Sequence, residues 1–306
     1  EIAMYAGVFS LNGNGELSGC HWIEESGLLT TPIALTNTHS LGIVRDAMID
    51  YYARLRKTDG SSYWMLPVVG ETWDGWLSDI NGMHVRPEHL CAALDSAASG
   101  PVAEGCVGGG TGMILHEFKG GIGTSSRVLP EELGGYTVGV LVQTNFGGLL
   151  TIDGVEVGKA LGGYPYQKEI ESADGSIMMI VATDAPLEAR NLERVAKRAF
   201  LGMAKTGGVA SNGSGDFVIA FSTAEDMRMP HEAPALTKVK MDVVQNDDMT
   251  PIFMATIEAT EEAIINSLFA ATDVKGFDGK VAKALPIKTV LEMMKKEGKL
   301  KTPAAK

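Results

Sequence analysis

A polar, glycine-rich stretch, residues 206–213, runs straight into the apolar segment Phe217-Val218-Ile219-Ala220-Phe221. The junction reads Asn212-Gly213-Ser214-Gly215-Asp216. Ser214 thus sits between two glycines at the mouth of a strand. Its upstream carbonyl is open to close approach, because neither neighbour carries a Cβ. That geometry suits a serine that attacks its own preceding peptide bond and emerges as a new N-terminal residue. On these residues alone, a glycine-rich loop leading into a strand is the plainer account.

The rest of the chain narrows the choice. With 306 residues, 45% of them hydrophobic, it is long enough to bury a sizeable core, and no linker-like composition divides it. Residues 1–306 therefore read as one domain. A net charge of −12 argues against nucleic acid as a partner, since phosphate recognition needs a basic face. No run of about 18 apolar residues suggests a membrane span. The chain starts abruptly in a strand-like run and shows no recognisable signal peptide, so an N-terminal segment is expected to be missing. Cys20, Cys91 and Cys106 lack CxxC spacing, which points away from disulfides and a thiolate zinc site and towards the cytoplasm.

Residues 1–45 read as strands and turns, broken by Asn12-Gly13-Asn14-Gly15, a strong turn signal. Helical spacing predicts helices over residues 46–55, 86–95, 187–205, 251–271 and 289–297. Strand-like runs occupy residues 137–143, 176–182 and 217–221. Residues 104–113 form a glycine-dense loop. Residues 224–248 are polar, include His231 and Pro234, and show no period. The basic tail, residues 298–306, is expected to be disordered. Strands and helices alternate in blocks, which implies mixed sheets covered by helices, an α+β or layered α/β sandwich.

Several residues could carry chemistry. Gly108-Gly109-Gly110-Thr111-Gly112 lacks the GxxxxGK[ST] pattern, so close backbone packing explains it better than a phosphate cradle. Lys119, between Phe118 and a Gly-Gly pair, is either a surface charge or an ammonium pointed into a site. Asn145 closes an apolar strand and is either a turn former or an oxyanion donor. Glu258 and Glu262, four apart on one helix, share a face; Thr260 faces elsewhere. Such acids are more often a solvated face than a site. The six histidines show no HxH or HExxH spacing, so no metal site is expected, and the serine chemistry that Ser214 suggests needs no organic cofactor.

Three stretches in combination resemble the L-aminopeptidase D-amidase/D-esterase (DmpA) family, with its β-peptidyl aminopeptidases and nylon-oligomer hydrolase. The first is residues 24–47, with Leu35-Thr36-Asn37-Thr38-His39-Ser40. The second runs from Glu71-Thr72-Trp73-Asp74-Gly75 through residues 108–113 to Phe118-Lys119-Gly120-Gly121. The third joins Thr183-Asp184-Ala185-Pro186 to Asn212-Gly213-Ser214-Gly215-Asp216. The resemblance covers about residues 5–290 and implies a four-layer α/β/β/α sandwich.

It further implies a self-cleaving serine aminopeptidase or amidase, cut between Gly213 and Ser214 into residues 1–213 and 214–306. Its substrates would be small peptides, amides or esters, and it would form a homo-oligomer of cleaved pairs. Ser214 becomes the nucleophile, Lys119 orients it and Asn145 stabilises the oxyanion. Thr260 and Glu262, or alternatively Thr256 and Glu258, complete the catalytic set. One of these carboxylates would pair with the substrate ammonium. Glu71, Trp73 and Glu258 line the substrate site. Relatives carry tyrosine at the position of Trp73, so any role for a phenol hydroxyl is lost there. Two other readings fit less of the chain: an acyltransferase of the ornithine acetyltransferase type, whose threonine motif is missing, and an uncleaved, non-catalytic binding homologue.

Overall fold

The computed structural model describes residues 2–55, 63–162, 175–230 and 238–300. His231, Pro234 and the end of the basic tail, residues 301–306, lie outside them. In chain order the strands are β1 (Ile2–Gly13), β2 (Leu28–Leu29), β3 (Ile33–Asn37), β4 (Val68–Thr72), β5 (Ile114–Leu115), β6 (Phe118–Lys119), β7 (Gly121–Val128), β8 (Thr137–Asn145), β9 (Ser176–Thr183), β10 (Gly215–Ser222), β11 (Met229–Pro230), β12 (Val274–Lys275) and β13 (Val281–Ala282). The helices are α1 (Cys20–Ser26), α2 (Leu41–Leu55), α3 (Pro87–Asp95), α4 (Val157–Ala160), α5 (Ala189–Lys205), α6 (Thr250–Phe269) and α7 (Ile287–Lys296).

The central sheet runs β11-β1-β10-β9-β8-β7, with β2 added beside β1. β9 and β10 are parallel, and the other pairs in that order are antiparallel. Both β9 and β10 are continuous apolar runs because both of their faces are covered. Alternate residues enter different cores. Ile177, Met179, Val181, Val218 and Ala220 pack under α5 and α6, whereas Met178, Phe217 and Ile219 meet Val68 and Leu35 on the other side. β3 and β4 form a separate parallel pair. Its outer residues, Ala34 and Val69, pack with Val44 and Met48 of α2 and Leu90 of α3. Three apolar cores therefore lie between four layers: helices, central sheet, β3–β4 ribbon, helices. This is the α/β/β/α order that the resemblance implies.

Helix α5 shows why the helical layer sits close. Its N-cap, Glu188, accepts the backbone N–H groups of Arg190 and Asn191. Leu192, Val195, Ala196, Ala199 and Met203 form its buried stripe, as the sequence spacing predicts. Arg194 and Arg198 lie over the Phe253 ring of α6, 5.0 and 4.0 Å from its centroid. The predicted helices and strands agree with the structure to within a few residues, apart from two differences. α2 begins at Leu41, straight after a 3₁₀ turn, and α1 interrupts the strand region. α1 buries only Ile23 and is bounded by Gly19 and Gly27, both left-handed, so it leaves no periodic signal. Among the described residues no helix is long and apolar enough to cross a membrane.

Candidate active site

Strand register brings four residues into one row at one end of the central sheet. Gly13 pairs with Gly215, Gly215 with Ser176, and Ser176 with Asn145. Neighbouring strands lie about 4.8 Å apart, so Asn145 is about 10 Å from Gly215. Ser214 enters β10 at this end and is buried, 1% exposed. Its hydroxyl donates to Asp216 Oδ1 at 2.6 Å. Asn12 Nδ2 donates to the other carboxylate oxygen at 3.0 Å and also reaches the Ala210 and Ser211 carbonyls. Burial pushes the Asp216 carboxyl above the usual carboxylate range, while these two hydrogen bonds pull the other way.

The end of β1 closes over this junction. Asn14 Nδ2 donates to the Gly213 carbonyl oxygen at 2.7 Å, and the Asn14 N–H reaches the Ser214 carbonyl at 3.3 Å. The Ser214 N–H turns back to the Ser211 carbonyl at 2.9 Å. Glycine is required at 215, because a Cβ there would lie 2.6 Å from the Asn14 carbonyl oxygen.

A cleft of about 540 Å³ opens beside the junction, lined by Asn14, Glu71, Trp73, Ser176 and Gly213 among others. Glu71 is 2% exposed. Its carboxylate accepts the Glu16 N–H at 2.8 Å and the Thr38 hydroxyl. Burial raises its pKa, and the two hydrogen bonds oppose the rise. Trp73 is half exposed, and its ring lies against Gly75, where a Cβ would sit 2.7 Å away. Its backbone is clamped: the N–H donates to Ser176 Oγ at 3.2 Å, and the carbonyl accepts Asn145 Nδ2 at 2.6 Å.

Lys119 lies in the two-residue hairpin between β5 and β6, whose turn residues His116 and Glu117 both have positive φ. It is fully buried. Its ammonium donates to the carbonyls of Gly110, Met113 and Gly120 at 2.8, 3.0 and 2.7 Å. Burial lowers its pKa to about 8, against a smaller opposing effect of the Cys106 thiol. The hairpin also joins Asn145 to Lys119, since the Ile114 N–H donates to Asn145 Oδ1 at 2.9 Å. Neither Lys119 nor Asn145 hydrogen-bonds Ser214; Lys119 spends its ammonium on backbone carbonyls, and Asn145 holds the backbone of the cleft-lining Trp73. Beside them His116 is 3% exposed, and neither ring nitrogen finds a hydrogen-bond partner.

The helical set expected to complete the site lies elsewhere. Glu258 and Glu262 do share a face, as their spacing predicts, but that face meets Arg127: Nε to Glu258 at 3.1 Å and an Nη to Glu262 at 2.5 Å. Arg127 pairs with Val138 and Val138 with Thr183, at the opposite end of the sheet from Ser214. Six residues along β7 separate Arg127 from Gly121, about 20 Å. Thr260 is buried with its hydroxyl on the Thr256 carbonyl, and Thr256 bonds back to Ile252 in the same way. The physical reason is the direction of α6. Its C-terminal end approaches the site end, where Ser267 Oγ meets Thr144 Oγ1 at 3.0 Å.

Asp216, Asn12, Asn14 and Ser176 join the site without a role that any motif in the sequence assigns to them. Asp216 left a legible signal, since residues two apart on a strand share a face. In the sequence the asparagines signal only a turn, and Ser176 carries no signal short of the strand order.

The peptidase family S58 model matches residues 1–282. The chain is 45% identical over 311 residues to the β-peptidyl aminopeptidase BapA of Sphingosinicella microcystinivorans, covering 97% of this chain and 77% of that protein. Among solved structures it resembles a β-aminopeptidase from Burkholderia sp. (45% identity, TM-score 0.88, 97% of this chain and 82% of the other). It also resembles the L-aminopeptidase D-Ala-esterase/amidase of Ochrobactrum anthropi, described as a prototype serine aminopeptidase with a variant Ntn-hydrolase fold (40% identity, TM-score 0.89, 98% and 83%). Sequence, fold and the buried serine at the head of a central strand agree: the chain belongs to peptidase family S58, as a serine aminopeptidase of the N-terminal-nucleophile type.

Proposed function

We propose that this hydrolase is made as one inactive peptidase domain, residues 1–306, and cuts itself between Gly213 and Ser214. The observation that carries the reading is Ser214 itself, buried, hydrogen-bonded to a carboxylate, and immediately following a cleft-lining glycine. Once cut, Ser214 carries a hydroxyl and a free α-amine that titrates near neutrality and relays its proton. Ser214 attacks the scissile carbonyl of a small peptide, amide or ester, and water releases the acyl group. Asn145 is the candidate oxyanion donor, and Lys119 holds the Gly110–Gly120 backbone that shapes the site.

Recognition of the substrate's free ammonium belongs to Glu71 rather than to Glu258 or Glu262. Its carboxylate faces the cleft beside Gly213, whereas theirs pair with Arg127. Trp73 forms the outer wall. An oligomer of cleaved pairs accords with the exposed Trp22–Trp64 edge contact, with centroids 6.5 Å apart. A reducing, cytoplasmic setting accords with three unpaired cysteines.

Incubated wild-type protein on a denaturing gel should resolve into bands of about 23 and 10 kDa from a chain of 32.4 kDa. N-terminal sequencing of the smaller band should read Ser-Gly-Asp-Phe-Val. An intact chain that hydrolyses amino-acyl para-nitroanilides at full rate would overturn the reading.

A further inference from the structure

Self-cleavage poses a problem that later turnover does not. Before the cut the Ser214 nitrogen is an amide and accepts no proton, so the hydroxyl needs another base. The oxyanion forms on Gly213, so it needs a donor placed at that oxygen rather than at a bound substrate. Both are present. Asp216 Oδ1 lies 2.6 Å from the Ser214 hydroxyl, and Asn14 Nδ2 lies 2.7 Å from the Gly213 carbonyl oxygen. Asp216 lies in β10 and Asn14 just past the end of β1, 199 residues from Gly213, so the Asn14 contact is not a by-product of local chain geometry. The register of β1 against β10, slipped between Ser10 and Asn12, delivers it.

We propose that Asp216 and Asn14 are the catalytic residues of the self-cleavage step: Asp216 takes the Ser214 hydroxyl proton and Asn14 holds the oxyanion on Gly213. Ser214 Oγ bonds to the Gly213 carbonyl carbon as its proton passes to Asp216. The tetrahedral oxyanion accepts from Asn14 Nδ2. The carbon–nitrogen bond then breaks as the Ser214 nitrogen takes the proton from Asp216, leaving Gly213 esterified to Ser214 Oγ. Water hydrolyses that ester, so Gly213 leaves as a carboxylate and Ser214 regains its hydroxyl. Asp216 suits the role because it is fully buried and its other oxygen is fixed by Asn12. The Asn12-Gly13-Asn14-Gly15 turn thereby acquires a chemical purpose beyond chain reversal.

The inference rests on the self-processing reading, and one experiment separates their failures. Intact-chain mass is followed over time after translation or refolding for wild type, Ser214→Ala, Asn14→Ala, Asp216→Asn and Asp216→Glu, with a thermal melt of each. Asn14→Ala and Asp216→Asn should melt with the uncut Ser214→Ala protein and cleave about 100-fold more slowly than wild type. Asp216→Glu, which keeps the carboxylate, should cut faster than Asp216→Asn. Hydroxylamine should trap Gly213 as a hydroxamate in wild type. Wild-type protein that never cuts sinks the self-processing reading. Wild type that cuts while Asn14→Ala or Asp216→Asn cuts at the same rate sinks this inference alone. Asn14 is exposed, so its variant stays readable if the Asp216 variants fail to fold.

Discussion

The two ends of the central sheet are built from similar side chains used in opposite ways. At one end, Asp216, Glu71, Lys119 and Asn145 are all less than 10% exposed. Each spends its hydrogen bonds on backbone or on a neighbouring polar group, with no ion pair among these four. At the other end Arg127, Glu258 and Glu262 form a charged cluster that is one-third to one-half exposed. Exposed pairs of this kind contribute about 0–1 kcal/mol and are screened by salt. Buried charged groups cost far more when mispaired, and among the described residues Glu71, Asp74, Lys119 and Asp216 lie buried at the site end. Charged residues at helical spacing therefore mark a solvated face here, and burial distinguishes the reactive end.

The sharpest break of this contrast is Ser214→Ala. It should abolish the two-band pattern and lower para-nitroanilide hydrolysis on the order of 10⁴-fold or more. Asn145→Ala should lower kcat about 100- to 1000-fold in a stopped or continuous assay, as loss of one oxyanion donor does. A loss below tenfold would assign Asn145 to backbone support alone. Glu71→Gln should lower kcat/KM about 10- to 100-fold for substrates with a free amine, the worth of a charge-assisted pair. Activity on N-acetylated analogues should not fall with it.

His116 gives a pH test of the buried end. Burial holds its pKa at about 4, below the 6.5 of an unfolded chain. Between those values the unfolded chain binds more protons, so stability should fall as pH drops from about 6.5 to about 4. The full effect is about 3 kcal/mol. His116→Asn, which tolerates positive φ, should flatten this slope in urea melts at pH 7 and pH 4. The smallest effect belongs to the exposed end: Arg127→Ala should change hydrolysis less than twofold and stability by at most about 1 kcal/mol. A tenfold loss of activity would show that the far end contributes to the site after all.

The sequence made the long elements legible. β9, β10 and α5 each carry a pattern that burial imposes locally, and Ser214 with its glycines was visible for the same reason. What stayed hidden depends on register. Nothing in Glu258 or Glu262 says that α6 presents its middle to Arg127 and its end to the site. Asn14 lies 199 residues from Gly213 along the chain and reaches it only because β1 pairs antiparallel with β10. Glu71 and Trp73 are marked by motif resemblance, while the clamp on Trp73 by Ser176 and Asn145 depends on the sheet order β10-β9-β8.

β10 is hemmed in by β1 on one edge and β9 on the other. Scission just ahead of it would leave a new chain end inside a sheet that the smaller piece cannot quit without tearing both ladders. Melting of the matured enzyme then becomes a dissociation of two polypeptides. Its midpoint should climb as the protein is concentrated, while that of the unprocessed serine variant stays fixed if it remains a monomer.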